Sequence, residues 1–133
     1  MAAKTLFIML CSGEHEKIQL AAMTASVAAV SDRPVVVFVT MNALLAFQRG
    51  LTPAQRYHGG HFHELFMISK VPDAIELFGQ GKMLGELKMY ACSLVLDLKH
   101  WDVEKDLVED LFDGAAGLTH FLADAENGEL ITI

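Results

Sequence analysis

The chain has 133 residues, a formal net charge of −7 and an apolar fraction of 53%, the size of one domain that closes a core without disulfides or metal. The negative charge repels phosphate backbones and the ten Lys and Arg residues are scattered rather than striped along one face, so nucleic acid is not an expected partner. No apolar run approaches the roughly 18 residues of a membrane helix, so the surplus apolar surface is expected at subunit contacts and not in a bilayer.

The amino end, Met1-Ala2-Ala3-Lys4-Thr5, runs straight into a strand-like segment without a charged n-region or a small-residue cleavage site, and a cytoplasmic protein is expected. Thr5 to Leu10 (TLFIML) and Pro34 to Thr40 (PVVVFVT) are continuous apolar runs rich in β-branched and aromatic types, as in parallel strands buried on both faces. Between them, Glu16 to Val30 spaces Ile18, Ala21, Ala22, Ala25 and Ala29 by three and four, which predicts a helix with a small contact face against a sheet. Together these make a βαβ unit. Gln48 to Ser69 holds Pro53, Gly59, Gly60 and three of the six histidines; it is long for a connector and reads as a functional loop or a subunit contact.

A helix is expected to start at Val71-Pro72-Asp73, with Ile75, Leu77 and Phe78 as its apolar positions. A third strand is expected over Leu87 to Ala91, then a helix capped by Asp102 that carries Val103, Leu107 and Val108. A final helix is expected over Ala115 to Ala125, and a last strand over Glu129 to Ile133 after the turn at Asn127-Gly128. The alternation predicts an α/β fold in a single domain, residues 1–133, without repeat or linker.

The two cysteines lie far apart, with neither a C-x-x-C pair nor a finger spacing, so reduced thiols are expected. Cys92 is placed where the third strand hands over to a helix in Leu87-Lys88-Met89-Tyr90-Ala91-Cys92-Ser93-Leu94. Ligands and reactive groups collect at the carboxyl ends of parallel strands, and a helix start there favours a thiolate. In the helix that follows, Leu94, Val95 and Leu98 are expected to face the core, leaving Ser93 and Asp97 at the mouth. A buried, inert cysteine is the competing reading. Cys11 ends the first strand in the same way and is a possible second thiol, either a relay or a buried residue closing the strand.

The segment MYACSLVLDL, followed by LVEDLFDGAAGLTHFLADA, resembles the carboxyl half of DsrE/DsrF-like (DsrE/TusD-type) sulfur-carrier proteins: a strand ending in Ala-Cys, a short helix, and a Gly-containing turn before the last helix. FIMLCSGEHEKIQLAAMTASVAAVSDRPVVVFVTMNALLAF is similar to the opening strand, turn, alanine-rich helix and second strand of the same family. The resemblance implies a flavodoxin-like three-layer sandwich with a mostly parallel sheet of four to five strands. It also implies assembly into homotrimers or homohexamers, and sulfane sulfur carried as a persulfide on Cys92 between sulfur donor and acceptor proteins. No cofactor is implied. A carrier thiol must be exposed, and the helix start would hold its thiolate without a general base.

Two other classes stay open: a non-catalytic oligomeric binding or regulatory module with a buried cysteine, and a metal-binding protein using His58, His61 and His63 beside Glu64. For the histidine cluster a surface loop or oligomer contact without metal is the expectation, and the interface is expected to draw on Tyr57, Phe62, Leu65, Phe66 and Met67. His15, His100 and His120 are expected at the surface or an interface. Ser12-Gly13 reads as a tight strand-to-helix turn and not a phosphate loop, because no G-x-G-x-x-G or G-K-[ST] follows. Met9, Met23, Met67, Met83 and Met89 are expected in the core, and Trp101 as an apolar plug.

Overall fold

The computed structural model describes residues 3–133. The two β-branched runs become β1 (Leu6–Leu10) and β2 (Val35–Val39), joined by α1 (His15–Val30). After β2 come the short α2 (Asn42–Leu45), α3 (Pro53–Arg56) and α4 (His63–Ile68), then α5 (Ala74–Leu84) and β3 (Leu87–Cys92). The carboxyl half adds α6 (Ser93–Lys99), α7 (Val103–Asp106), β4 (Gly114–Ala116), α8 (Leu118–Ala125) and β5 (Glu129–Thr132).

The five strands form one sheet in the order β4-β3-β2-β1-β5, and every neighbouring pair is parallel. This is the expected three-layer, flavodoxin-like α/β architecture, with a sheet wholly parallel rather than mostly so. Each step from β1 to β4 moves one strand in the same direction, so right-handed crossovers place α1 and α5 together on one face. The return from β4 to β5 runs the other way and carries α8 across the opposite face. The rings agree with this: Phe121 of α8 packs edge-on to Phe7 and stacks on Phe38.

Strand alternation then assigns every side chain a face. Phe7, Met9, Val36 and Phe38 lie toward α8, while Leu6, Ile8, Leu10, Val35, Val37 and Val39 lie toward α1 and α5. The helical face is held close by small residues, as the spacing in α1 predicts: Ala21, Ala22, Ala25 and Ala29 are fully buried. At its far end Gly85 meets the same helix, where a Cβ would stand 2.2 Å from the Ala29 carbonyl oxygen.

Three expectations are corrected, and the Gln48 to Ser69 segment takes a definite local structure. Ala115 to Ala125 does not begin as helix: Gly114–Ala116 pairs with Tyr90–Cys92 as an edge strand, and α8 starts only at Leu118. The helix capped by Asp102 ends at Asp106, because Leu107 leaves it to bridge Gln48 and bury itself completely. The Gln48 to Ser69 segment is folded: Thr52 and Gln55 form a reciprocal capping box on α3, and the Arg56 guanidinium donates to the carbonyls of Ala46, Gln48 and Leu51. Of the five methionines expected inside, Met89 is buried and Met9 half-buried, whereas Met23, Met67 and Met83 are exposed.

Candidate functional site around Cys92

The register fixes how the carboxyl ends of the central strands line up. Leu10 pairs with Val39 and Val39 with Ala91, so the next residues along, Cys11, Thr40 and Cys92, stand in one row across the sheet edge. Backbone pairing continues into that row, with the Thr40 amide donating to the Leu10 carbonyl at 2.9 Å. Alternation places all three on the α8 side, Cys92 following Lys88 and Tyr90. Two strand spacings separate the thiols, about 9.5 Å between backbones, beyond the roughly 7 Å that a disulfide spans. Cys11 and Cys92 therefore share one edge, but they do not bridge without backbone movement.

Cys92 ends β3 and is the N-cap residue of α6, with extended backbone (φ −62°, ψ 118°) and no side-chain cap hydrogen bond. The β4–α8 turn closes over the same corner: Ala116 pairs with Cys92, and the Cβ position of Gly117 lies 3.9 Å from Ser93 Oγ. The consequence is burial, since Cys92 is only 5% exposed. The expected open thiol is corrected by this. Cys11 is the more accessible of the two, half-buried, with its thiol donating to the Ile133 carbonyl at 3.5 Å.

α6 is rotated relative to expectation. Val95 and Leu96 are buried while Leu94 and Leu98 are exposed. Ser93 and Asp97 do line an opening, a groove of about 540 Å³ with Trp101, Phe112 and Asp113 on its walls. It begins one residue from Cys92, and Cys92 itself is not on its wall. Trp101 packs partly on the core, as expected of a plug, with Lys99 Nζ 5.3 Å from its ring.

The Ser12-Gly13 turn is tight because two loops meet there. A Cβ on Gly13 would stand 2.9 Å from the Asn42 carbonyl oxygen. The first amides of α1 are already engaged, Glu14 N–H with Ser12 Oγ and His15 N–H with the His58 carbonyl, which leaves little for a phosphate. Beside this turn lies a cleft of about 700 Å³ over the carboxyl ends of β1 and β2, walled by Asn42, Gln48 and Lys99 among others.

The histidines of the loop diverge. His58 Nε2 lies 2.7 Å from the Gln55 carbonyl, His61 meets the Phe62 ring, and His63 Nδ1 reaches His15 Nδ1 at 2.8 Å. Among the described residues no group of three His, Cys, Asp or Glu side chains is arranged to hold a metal. His15, expected at the surface, is 4% exposed and stacked on Tyr57. Burial, and next the neighbouring His63, push its pKa down, against a smaller upward pull from Asp73. The Tyr57 hydroxyl donates to Asp73 Oδ1 at 2.7 Å, and burial together with that bond raises its pKa well above the ordinary value. Sequence reasoning missed this His15–Tyr57–Asp73 cluster, since its members lie 42 and 16 positions apart, and it missed Thr40 between the thiols. Thr40 alone had a readable signal, standing directly after β2 as Cys11 stands after β1.

No family model and no curated protein matches the chain. Among solved structures it is similar to MTH1491, a protein of unknown function from Methanobacterium thermoautotrophicum. The TM-score is 0.63 at 13% identity, over 98% of this chain and 99% of that one. What the two share is the fold.

Proposed function

We propose that the protein is a sulfur carrier of the DsrE/DsrF type, holding sulfane sulfur as a persulfide on Cys92 and passing it to a partner protein in the cytoplasm. The observation that carries this reading is the placement of Cys92 as the uncapped N-cap residue of α6 at the carboxyl edge of a parallel sheet. In loading, the Cys92 thiolate attacks the outer sulfur of a donor persulfide; a new S–S bond forms, the donor S–S bond breaks, and the donor leaves as thiolate. In delivery, an acceptor thiolate attacks the terminal sulfur and Cys92 leaves as thiolate, with no net oxidation in either step. Both steps use the Cys92 thiolate, and no general base is assigned. At 5% exposure the thiol is reached only when the β3–α6 corner opens, and the groove that starts at Ser93 lies one residue from it.

The 5% exposure of Cys92 favours one second reading, a binding or regulatory module in which this thiol is inert. Intact mass after incubation with a small-molecule sulfane sulfur donor separates the two. A carrier gains one sulfur atom, about 32 Da, that reductant removes. Cys92→Ser abolishes the gain and Cys11→Ser retains it. Loading that survives Cys92→Ser overturns the proposal, and an inert wild-type protein supports the module.

A further inference from the structure

α4 has no buried residue of its own: Leu65 is 50% exposed, Ile68 81%, and Phe66 half-buried. Among the described residues, the hydrogen bonds and ring contacts that tie it to another element all end on the first turn of α1. His63 Nδ1 lies 2.8 Å from His15 Nδ1, the Phe66 ring meets the His15 ring edge-on with centroids 5.2 Å apart, and the Phe62 amide just before α4 donates to Glu16 Oε2 at 3.1 Å. Between α4 and the domain lies a cavity of about 180 Å³. His15, Gln19 and Tyr57, all buried, line it on the domain side, and Phe66 and Met67 on the α4 side.

We infer that α4 is a strap released by acid: a second proton on the His15–His63 pair detaches residues 62–68 from α1 and opens the cavity, while the sheet stays folded. An Nδ1–Nδ1 bond needs one N–H and one lone pair. The pair as it stands has one of each, and with one proton added the cationic ring still donates to the neutral one. A second proton leaves two N–H groups and two positive charges facing each other, with ring centroids 5.0 Å apart and no acceptor between them. Imidazole is the side chain that charges between pH 5 and 8, so this happens in an ordinary pH range.

The charges around the pair do not reverse that outcome. Asp73, at the N-cap of α5, faces His15 but accepts from the Tyr57 hydroxyl. Glu14 and Glu16, on either side of His15, stand against Gly60, and Glu64 follows His63 on α4. Arg56 of α3 adds positive charge on the Tyr57 side, and the His58 ring is turned to the Gln55 carbonyl. At His15 itself, burial and His63 outweigh the pull of Asp73. The open pair therefore binds two protons where the closed pair holds one. With an ordinary imidazole value of about 6.5, the opening equilibrium rises about tenfold between pH 7.5 and 5.5. Nothing in this step involves Cys92.

The test is limited digestion of the full chain by thermolysin, which cuts before large apolar residues, with a synthetic peptide of residues 60–70 as the measure of the protease's own pH dependence. Cleavage of the wild-type chain within residues 62–68, divided by the rate for the peptide, is expected to rise about tenfold from pH 7.5 to 5.5, with the first cuts confined to that segment when located by mass. His63→Gln keeps a partner for His15 Nδ1 and does not titrate, so its normalised rate is expected to rise threefold or less. A wild-type response below threefold, first cuts spread through the sheet, or a His63→Gln response as large as that of wild type overturns the inference.

Discussion

The Nδ1 atoms of His15 and His63 stand 2.8 Å apart, joining the start of α1 to α4 across 48 positions of sequence. One ring must donate and the other accept, so the bond survives at most one proton added to the pair. His15 is also stacked on Tyr57 and meets the edge of Phe66.

Stability follows from that pair with a definite sign. The folded pKa of His15 lies below its ordinary 6.5, so the unfolded chain binds more protons as pH falls through and below that value. The contribution is therefore complete above pH 6.5 and is lost on acidification. The melting temperature is expected to drop from pH 7.5 to 5.5. His15→Phe removes the buried imidazole itself and should flatten that slope, whereas His63→Phe leaves the burial in place and should only reduce it; an unchanged slope in His15→Phe would count against His15 as its source.

Gly85→Ala is expected to destabilise by about 2–3 kcal/mol in urea unfolding, because the new methyl meets the Ala29 carbonyl oxygen and α1 cannot yield without lifting off the sheet. Gly79→Ala is the control. It sits inside α5 with nothing within 4 Å of its Cβ position, and helix propensity alone should stabilise by about 0.5–1 kcal/mol. Equal effects at the two positions would refute the close-contact explanation.

Asp73 performs two tasks, accepting from the Glu76 amide as the N-cap of α5 and from the hydroxyl of the buried Tyr57. Asp73→Ala should cost about 2.5–3 kcal/mol, a cap of about 1 and a charge-assisted bond of about 1.5–2. Tyr57→Phe loses the second and also the acceptor of the Ile75 amide, at 3.3 Å, and should cost about 1.5–2 kcal/mol. A double variant, Tyr57→Phe with Asp73→Ala, no less stable than Tyr57→Phe alone would mean that the cap contributes nothing.

Native thiol labelling should be ordered by exposure. Cys11, half-buried, is expected to react with a bulky maleimide several-fold faster than Cys92. Urea should abolish the difference. Faster labelling of Cys92 in the native protein would mean that the corner formed by β3, α6 and the β4–α8 turn opens readily in solution.

Much of this molecule is local in origin and so was legible in one dimension. TLFIML and PVVVFVT can only be strands buried on both faces, Ala21, Ala22, Ala25 and Ala29 can only be the close side of a sheet-packed helix, and Asp73 is a cap wherever the helix after it goes. Cys92 at a strand–helix corner was readable for the same reason. What the tertiary structure alone decided is which groups meet and which are covered. Gly114–Ala116 has no strand propensity and is a strand because β3 offers it an edge. His15 is buried because a segment 42 to 51 residues away folds back onto it. The Cys11–Thr40–Cys92 row exists only through the register of β1, β2 and β3, and the burial of Cys92 only through the turn before α8. Periodicity records which side of an element is apolar; it does not record what lies against that side, and on α1 both sides are apolar while the chain covers one.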